Sequence, residues 1–108
     1  MMKISVKSVH FHADDKLIAY VESKLSRLNR YYQRAMEAEV HLKLQDTGGK
    51  IREKIADIRL HVPGGVLYDK KSDKTFELAI NEAVETLKRQ LVRHKEKMSE
   101  HGHEEIEN

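Results

Sequence analysis

Residues 56–98 read ADIRLHVPGGVLYDKKSDKTFELAINEAVETLKRQLVRHKEKM, and the period of the apolar residues changes once inside them. Ala56, Ile58, Leu60 and Val62 alternate with Asp57, Arg59 and His61, the period of two expected of a half-buried strand. Pro63, Gly64 and Gly65 then form a hairpin turn, and Val66 to about Lys71 returns as a shorter strand. From Asp73 the period becomes helical. Phe76, Ile80, Ala83, Val84, Leu87, Leu91 and Met98 recur at that spacing without an intervening Gly or Pro, so one long amphipathic helix spans 73–98 with Asp73 as its N-cap.

Working outward, the long strand begins at Ile51, after a turn over Gln45–Lys50 that contains Asp46, Thr47, Gly48 and Gly49. Before it, Glu39–Leu44 alternates Val40, Leu42 and Leu44 against His41 and Lys43, and Lys3–Val9 alternates Ile4 and Val6 against Ser5 and Lys7. Between these strands Leu17, Ile18, Val21, Leu25 and Leu28 mark a first helix, capped by Asp14 or Asp15 and ending near Tyr31–Arg34. The order is β-α-β-β-β-α. Strands with one apolar face need cover on one side, and two helices with single apolar seams supply it. The expected architecture is an α+β two-layer sandwich, a four-stranded mixed sheet with both helices on one face. A right-handed crossover through the first helix makes strands one and two parallel.

At 108 residues the chain makes one domain, 1–98, followed by a flexible acidic tail, 99–108, which carries Glu100, Glu104, Glu105 and Glu107. There is no cysteine, which excludes disulfides, thiolate metal sites and a Cys nucleophile. MMKISVKSVHF lacks the apolar core of a signal peptide and no run reaches membrane-spanning length, so the expectation is a cytoplasmic protein with no membrane partner. Catalytic patterns are missing as well: no Ser/His/Asp signature, phosphate loop or HExxH occurs. The pairs His10/His12 and His101/His103 lack a third ligand at fixed spacing. No enzyme, cofactor, metal or small-molecule substrate is expected.

The charges are distributed unevenly. The net charge is only +2, but the acidic tail masks a more basic body. Lys24, Arg27, Arg30 and Arg34 crowd the end of the first helix. On the second, Arg89, Arg93 and Lys97 form an i, i+4 row on one side of the seam, and Lys88 and Lys95 lie on the other flank. Cations near a helix C-terminus are often only favourable dipole partners. Two such ends on one face of a sheet, however, can merge into a phosphate-binding surface.

The runs SRLNRYYQRAMEAEVHLKL and DIRLHVPGGVLYDKKSDKTFELAINEAVETLKRQLVRHKEKM, and within them the pattern L-x-RQL-x-[KR]-HK-x-K at Leu87, Arg89, Gln90, Leu91, Arg93, His94, Lys95 and Lys97, resemble the ribosome hibernation-promoting factors. These are grouped with ribosome-associated inhibitor A and the sigma-factor modulation proteins, and the resemblance covers nearly all of residues 2–98. It implies the same β-α-β-β-β-α fold, similar to a double-stranded-RNA-binding domain. It further implies binding in the tRNA and mRNA channel of the small ribosomal subunit, with translation silenced in stationary phase or stress. The rRNA-binding residues implied are Lys24, Arg27, Arg30, Lys88, Arg89, Arg93, Lys95 and Lys97. A cation common in the family is replaced here by Thr86. The free protein is expected to be a monomer.

The long family members carry a further C-terminal dimerisation domain, and the chain resembles the short class. Its brief acidic tail favours the type that promotes pairing of ribosomes. Two other readings share the fold. A generic double-stranded-RNA reader needs a loop that reaches a second minor groove, and Asp46–Lys50 is short. A protein-interaction module that modulates a sigma factor needs an exposed apolar patch or an open sheet edge.

Overall fold

Six elements follow in the expected order: β1 Lys3–Val9, α1 Asp15–Tyr31, β2 Glu37–Asp46, β3 Arg52–Val62, β4 Gly65–Asp73 and α2 Phe76–Glu107. The structure is a computed structural model that describes residues 2–35, 37–46, 48–49 and 52–107, with side chains through residue 99. Thr47 and Lys50 of the first hairpin turn, and Ile51 at the expected start of β3, lie outside the described residues.

The sheet order is β1-β2-β3-β4, with β1 parallel to β2 and the other pairs antiparallel. Register aligns the apolar set of each strand on one face: Val6 opposite Val40, Val40 opposite Ile58, and Leu60 opposite Leu67. Onto that face α1 lays Val21, Leu25 and Leu28, and α2 lays Phe76, Ile80, Ala83, Leu87 and Leu91, all in one core cluster. Among the described residues no polar or charged side chain is buried. Leu25 and Ile58 are fully enclosed, so truncating either to Ala removes about 2–5 kcal/mol.

The element ends differ from the sequence reading where local hydrogen bonds decide them. For α1 the cap is Asp14, whose carboxylate accepts from Leu17 N–H at 2.8 Å. Strand β4 runs on to Asp73, which pairs with Lys54 of β3. The second helix therefore starts at Phe76 and is capped by Thr75, which accepts from Leu78 N–H at 3.1 Å. Asp73 is not the cap, because the ladder holds its backbone extended and its carboxylate accepts from Lys74 N–H at 2.6 Å. At its far end α2 continues to Glu107, across residues that the charge pattern assigns to a flexible tail. Met98 is the last residue of the seam rather than the last of the helix. After it come Glu and other tolerant residues, with Gly102 the one weak position and no proline.

The β3–β4 turn is fastened to α2. Gly64 sits at φ +85°, a conformation that costs other residues about 1–2 kcal/mol. His94 Nε2 donates to the Pro63 carbonyl at 2.7 Å, and the Met98 sulfur lies 3.6 Å from where a Gly64 Cβ would stand. The C-terminal half of α2 is thereby held over the end of the sheet beside Tyr32, whose ring meets His94 edge-on at 6.2 Å.

Candidate nucleic-acid interface

Helices α1 and α2 lie side by side, joined at one end by a Tyr20 hydroxyl hydrogen bond to the Glu77 carbonyl (3.5 Å) and at the other by Lys95. Lys95 Nζ donates to Tyr31 O at 3.3 Å, supplying a partner to one of the carbonyls that a helix leaves unpaired at its C-terminus. The same ammonium lies 4.9 Å from the centre of the Tyr31 ring, within cation–π range.

Between these ties is a groove of about 240 Å³. Its apolar base is Leu28 and Val84; Lys24, Arg27 and Tyr31 line it from α1, and Asn81, Glu85 and Lys88 from α2. Lys24 is half-buried, its amine 5.3 Å from the Tyr20 ring centre. Arg30 is exposed in the last turn of α1. Lys24, Arg27 and Lys88 thus converge on one groove, with Lys95 beside it.

The other cations of α2 diverge. At about 100° per residue, Arg89, Arg93 and Lys97 wind from the crest of the helix toward the flank where Gln90 donates to Tyr68 O at 3.1 Å. Arg89 lines a separate shallow hollow with Lys71, and its guanidinium donates to Thr86 Oγ1 at 3.2 Å. Thr86 therefore orients the arginine one turn further along the helix. All three of these cations are exposed.

The eight cations share one electrostatic property. The ion pairs among the described residues are Arg52–Asp46, His61–Glu39 and Lys71–Asp69, and none engages any of the eight. Glu85 dilutes the charge in the groove, and Glu96 dilutes it beside Lys95. The remaining positive charge is available to an external anion.

On the opposite side of the sheet the polar groups are paired with one another. His61 Nε2 lies 2.7 Å from Glu39, and the Tyr68 hydroxyl donates to Asp57 at 2.9 Å, a bond that raises the phenol above its usual value. Arg59 stands over the Tyr68 ring at 5.8 Å. Among the described residues no group of three or more His, Asp or Glu is disposed to hold a metal, and no helix is long and apolar enough to cross a membrane.

The roles of two residues were not read from sequence. His94 lies within the basic run, but it faces inward and bonds the Pro63 turn. Its i+3 spacing from Leu91, on the seam side, is the signal that marks it. Tyr31 reads as a helix-end residue, yet it lines the groove and remains 39% exposed while the adjacent Tyr32 is buried.

Comparison with known proteins gives this geometry a context. A family profile described as sigma 54 modulation protein / S30EA ribosomal protein matches residues 4–99. A ribosome hibernation promotion factor of Deinococcus radiodurans is 38% identical over 72 residues, which cover 67% of this chain and 38% of that protein. The matched stretch thus covers well under half the length of that relative. A ribosome hibernation promoting factor of Azotobacter vinelandii is 31% identical over 99 residues, covering 92% of this chain and 88% of its own. Among solved structures, the N-terminal domain of Thermus thermophilus Protein Y superposes with a TM-score of 0.73 at 32% identity, covering 86% of this chain and 99% of that one.

Proposed function

This chain belongs to the sigma 54 modulation protein / S30EA ribosomal protein family, and from that premise we propose that it is a ribosome hibernation factor. It binds the small ribosomal subunit in the channel used by tRNA and mRNA, in the cytoplasm, during stationary phase or stress. The observation that carries this reading is the groove between the helices, where Lys24, Arg27 and Lys88 converge with no ion-pair partner among the described residues. Ribosomal RNA phosphates are the complementary ligand, and their neutralisation releases condensed counterions. Arg30 in the last turn of α1 and Lys95 in the adjoining hollow extend the footprint beyond the groove, and Arg89, Arg93 and Lys97 widen it over the crest of α2. The names of the relatives supply hibernation as the consequence of binding.

Inhibition follows from occupancy. The protein acts stoichiometrically, without turnover or cofactor, because a body seated in the channel excludes tRNA and mRNA. Its tail suits the type that promotes ribosome pairing.

Sedimentation with purified small subunits tests this. One protein should sediment per subunit, high salt should release it, and excess initiator tRNA with mRNA should displace it. Retention in the presence of both competitors would put the site elsewhere. Progressive inactivation by substoichiometric protein would make it an enzyme.

A further inference from the structure

We infer that Tyr31 is a stacking platform for one unpaired RNA base, whose flanking phosphates lie along the groove of Lys24, Arg27 and Lys88; this rests on the RNA-binding reading of that groove. Tyr31 is 39% exposed at the end of α1 and lines two hollows. Lys95 lines only the second, where its ammonium sits 4.9 Å from the ring centre and also holds the Tyr31 carbonyl at 3.3 Å. Tyr31 itself also lines the cationic groove. The residue is thus held through its backbone carbonyl while part of its surface stays open where it lines the cationic groove.

A nucleotide matches both halves of this arrangement. Its phosphates seek the cations, and its base has a π face for the ring, the combination by which proteins hold single-stranded nucleic acid without reading sequence. Bases inside a duplex are already stacked and cannot reach the ring, so the ligand is an unpaired nucleotide rather than A-form RNA.

The chain contains no tryptophan, so a Tyr31→Trp variant carries a single indole as a reporter. The probes are a short unpaired adenylate oligonucleotide and an abasic oligonucleotide of the same length and charge, with binding read from the anisotropy of a label on each. The indole should be quenched by the adenylate and not by the bound abasic strand. Tyr31→Leu should weaken adenylate binding about tenfold, while Tyr31→Phe retains it and both leave abasic binding unchanged. Equal quenching by the two strands, no quenching by either, or equal effects of Tyr31→Leu on both would overturn the platform. Small-subunit sedimentation of the wild type separates the two readings. If it fails, the hibernation reading falls. If it succeeds while the oligonucleotide tests fail, only the platform falls.

Discussion

Replacing Arg89, Arg93 and Lys97 together with Ala tests whether RNA covers the crest of α2 or only the groove. If each of the eight cations neutralises one phosphate at about 0.7–0.9 in salt slope, wild-type affinity for the small subunit should fall about 2,000- to 20,000-fold between about 50 and 200 mM salt. Five remaining contacts reduce that fall to about 130- to 500-fold, a slope smaller by about 2 to 3. A Lys24, Arg27 and Lys88 triple variant, with the same charge removed from the groove, should change the slope equally. The measurement is equilibrium binding of labelled protein to small subunits over a salt series, with thermal melts as a folding control. Melting of the crest variant should be unchanged, since all three residues are exposed and unpaired with carboxylates among the described residues. A slope that moves for the groove variant and stays at the wild-type value for the crest variant would remove Arg89, Arg93 and Lys97 from the interface and refute the charge geometry argued above.

Thr75→Ala should destabilise the fold by about 1 kcal/mol in urea denaturation through loss of the α2 cap, and Asp73→Ala by less; the reverse ranking would return the cap to Asp73. His94→Ala removes the bond to the Pro63 carbonyl and should cost about 1–3 kcal/mol while leaving the salt slope of subunit binding intact, which separates a structural histidine from an RNA ligand. The mutual hydrogen bond of the half-buried Asp73 and exposed Glu82 carboxyls lowers Asp73 below its ordinary 3.8 and raises Glu82 above its ordinary 4.5. Asp73 contributes above its unfolded value and loses this as pH falls through its lowered one; Glu82 contributes below its unfolded value and loses this as pH rises through its raised one. Their shared-proton contact therefore operates between the two, in mild acid, and is gone at neutral pH. Carboxyl-carbon NMR titrations should show the split, and Asp73→Asn should abolish the rise at Glu82; ordinary values for both in the wild type would refute the contact. Ribosome profiles on sucrose gradients, with the full chain and with a chain ending at Met98, should both contain dimers; dimers with the shorter chain alone would make the tail an antagonist of pairing.

The order of the elements, and the face of each except β4, were legible from periodicity, because alternation and 3.6-residue spacing are local consequences of which side chains must leave water. Val40, Ile58 and Leu60 declared one sheet face in this way, and Leu87 and Leu91 one helix seam. Element ends were less legible. Asp73 and Thr75 are both good caps by residue type, and the choice fell to Thr75 because pairing with Lys54 keeps Asp73 in the β4 ladder. Ile55 illustrates the same limit, for its place in the alternation puts it on the face away from the core, opposite Lys43 and Ser72, and it is nevertheless buried.

The sequence by itself determined the β-α-β-β-β-α order, the two-layer sandwich, the identities of the cations and the family to which their spacing belongs. It also separated the row of Arg89, Arg93 and Lys97 from Lys88 and Lys95 on the other flank; only the tertiary structure decided what each set faces. Arg27 and Lys88 are far apart in the chain, and they line one groove because α1 and α2 bury their seams on the same sheet face. Arg89 is adjacent to Lys88 in sequence, yet it turns toward another hollow because successive helical residues point about 100° apart. The bond from His94 to Pro63 and the seat of Lys95 on Tyr31 likewise join segments that no local pattern relates. Sequence period reports which way a side chain faces on its own element; which partner waits there depends on how the elements are packed.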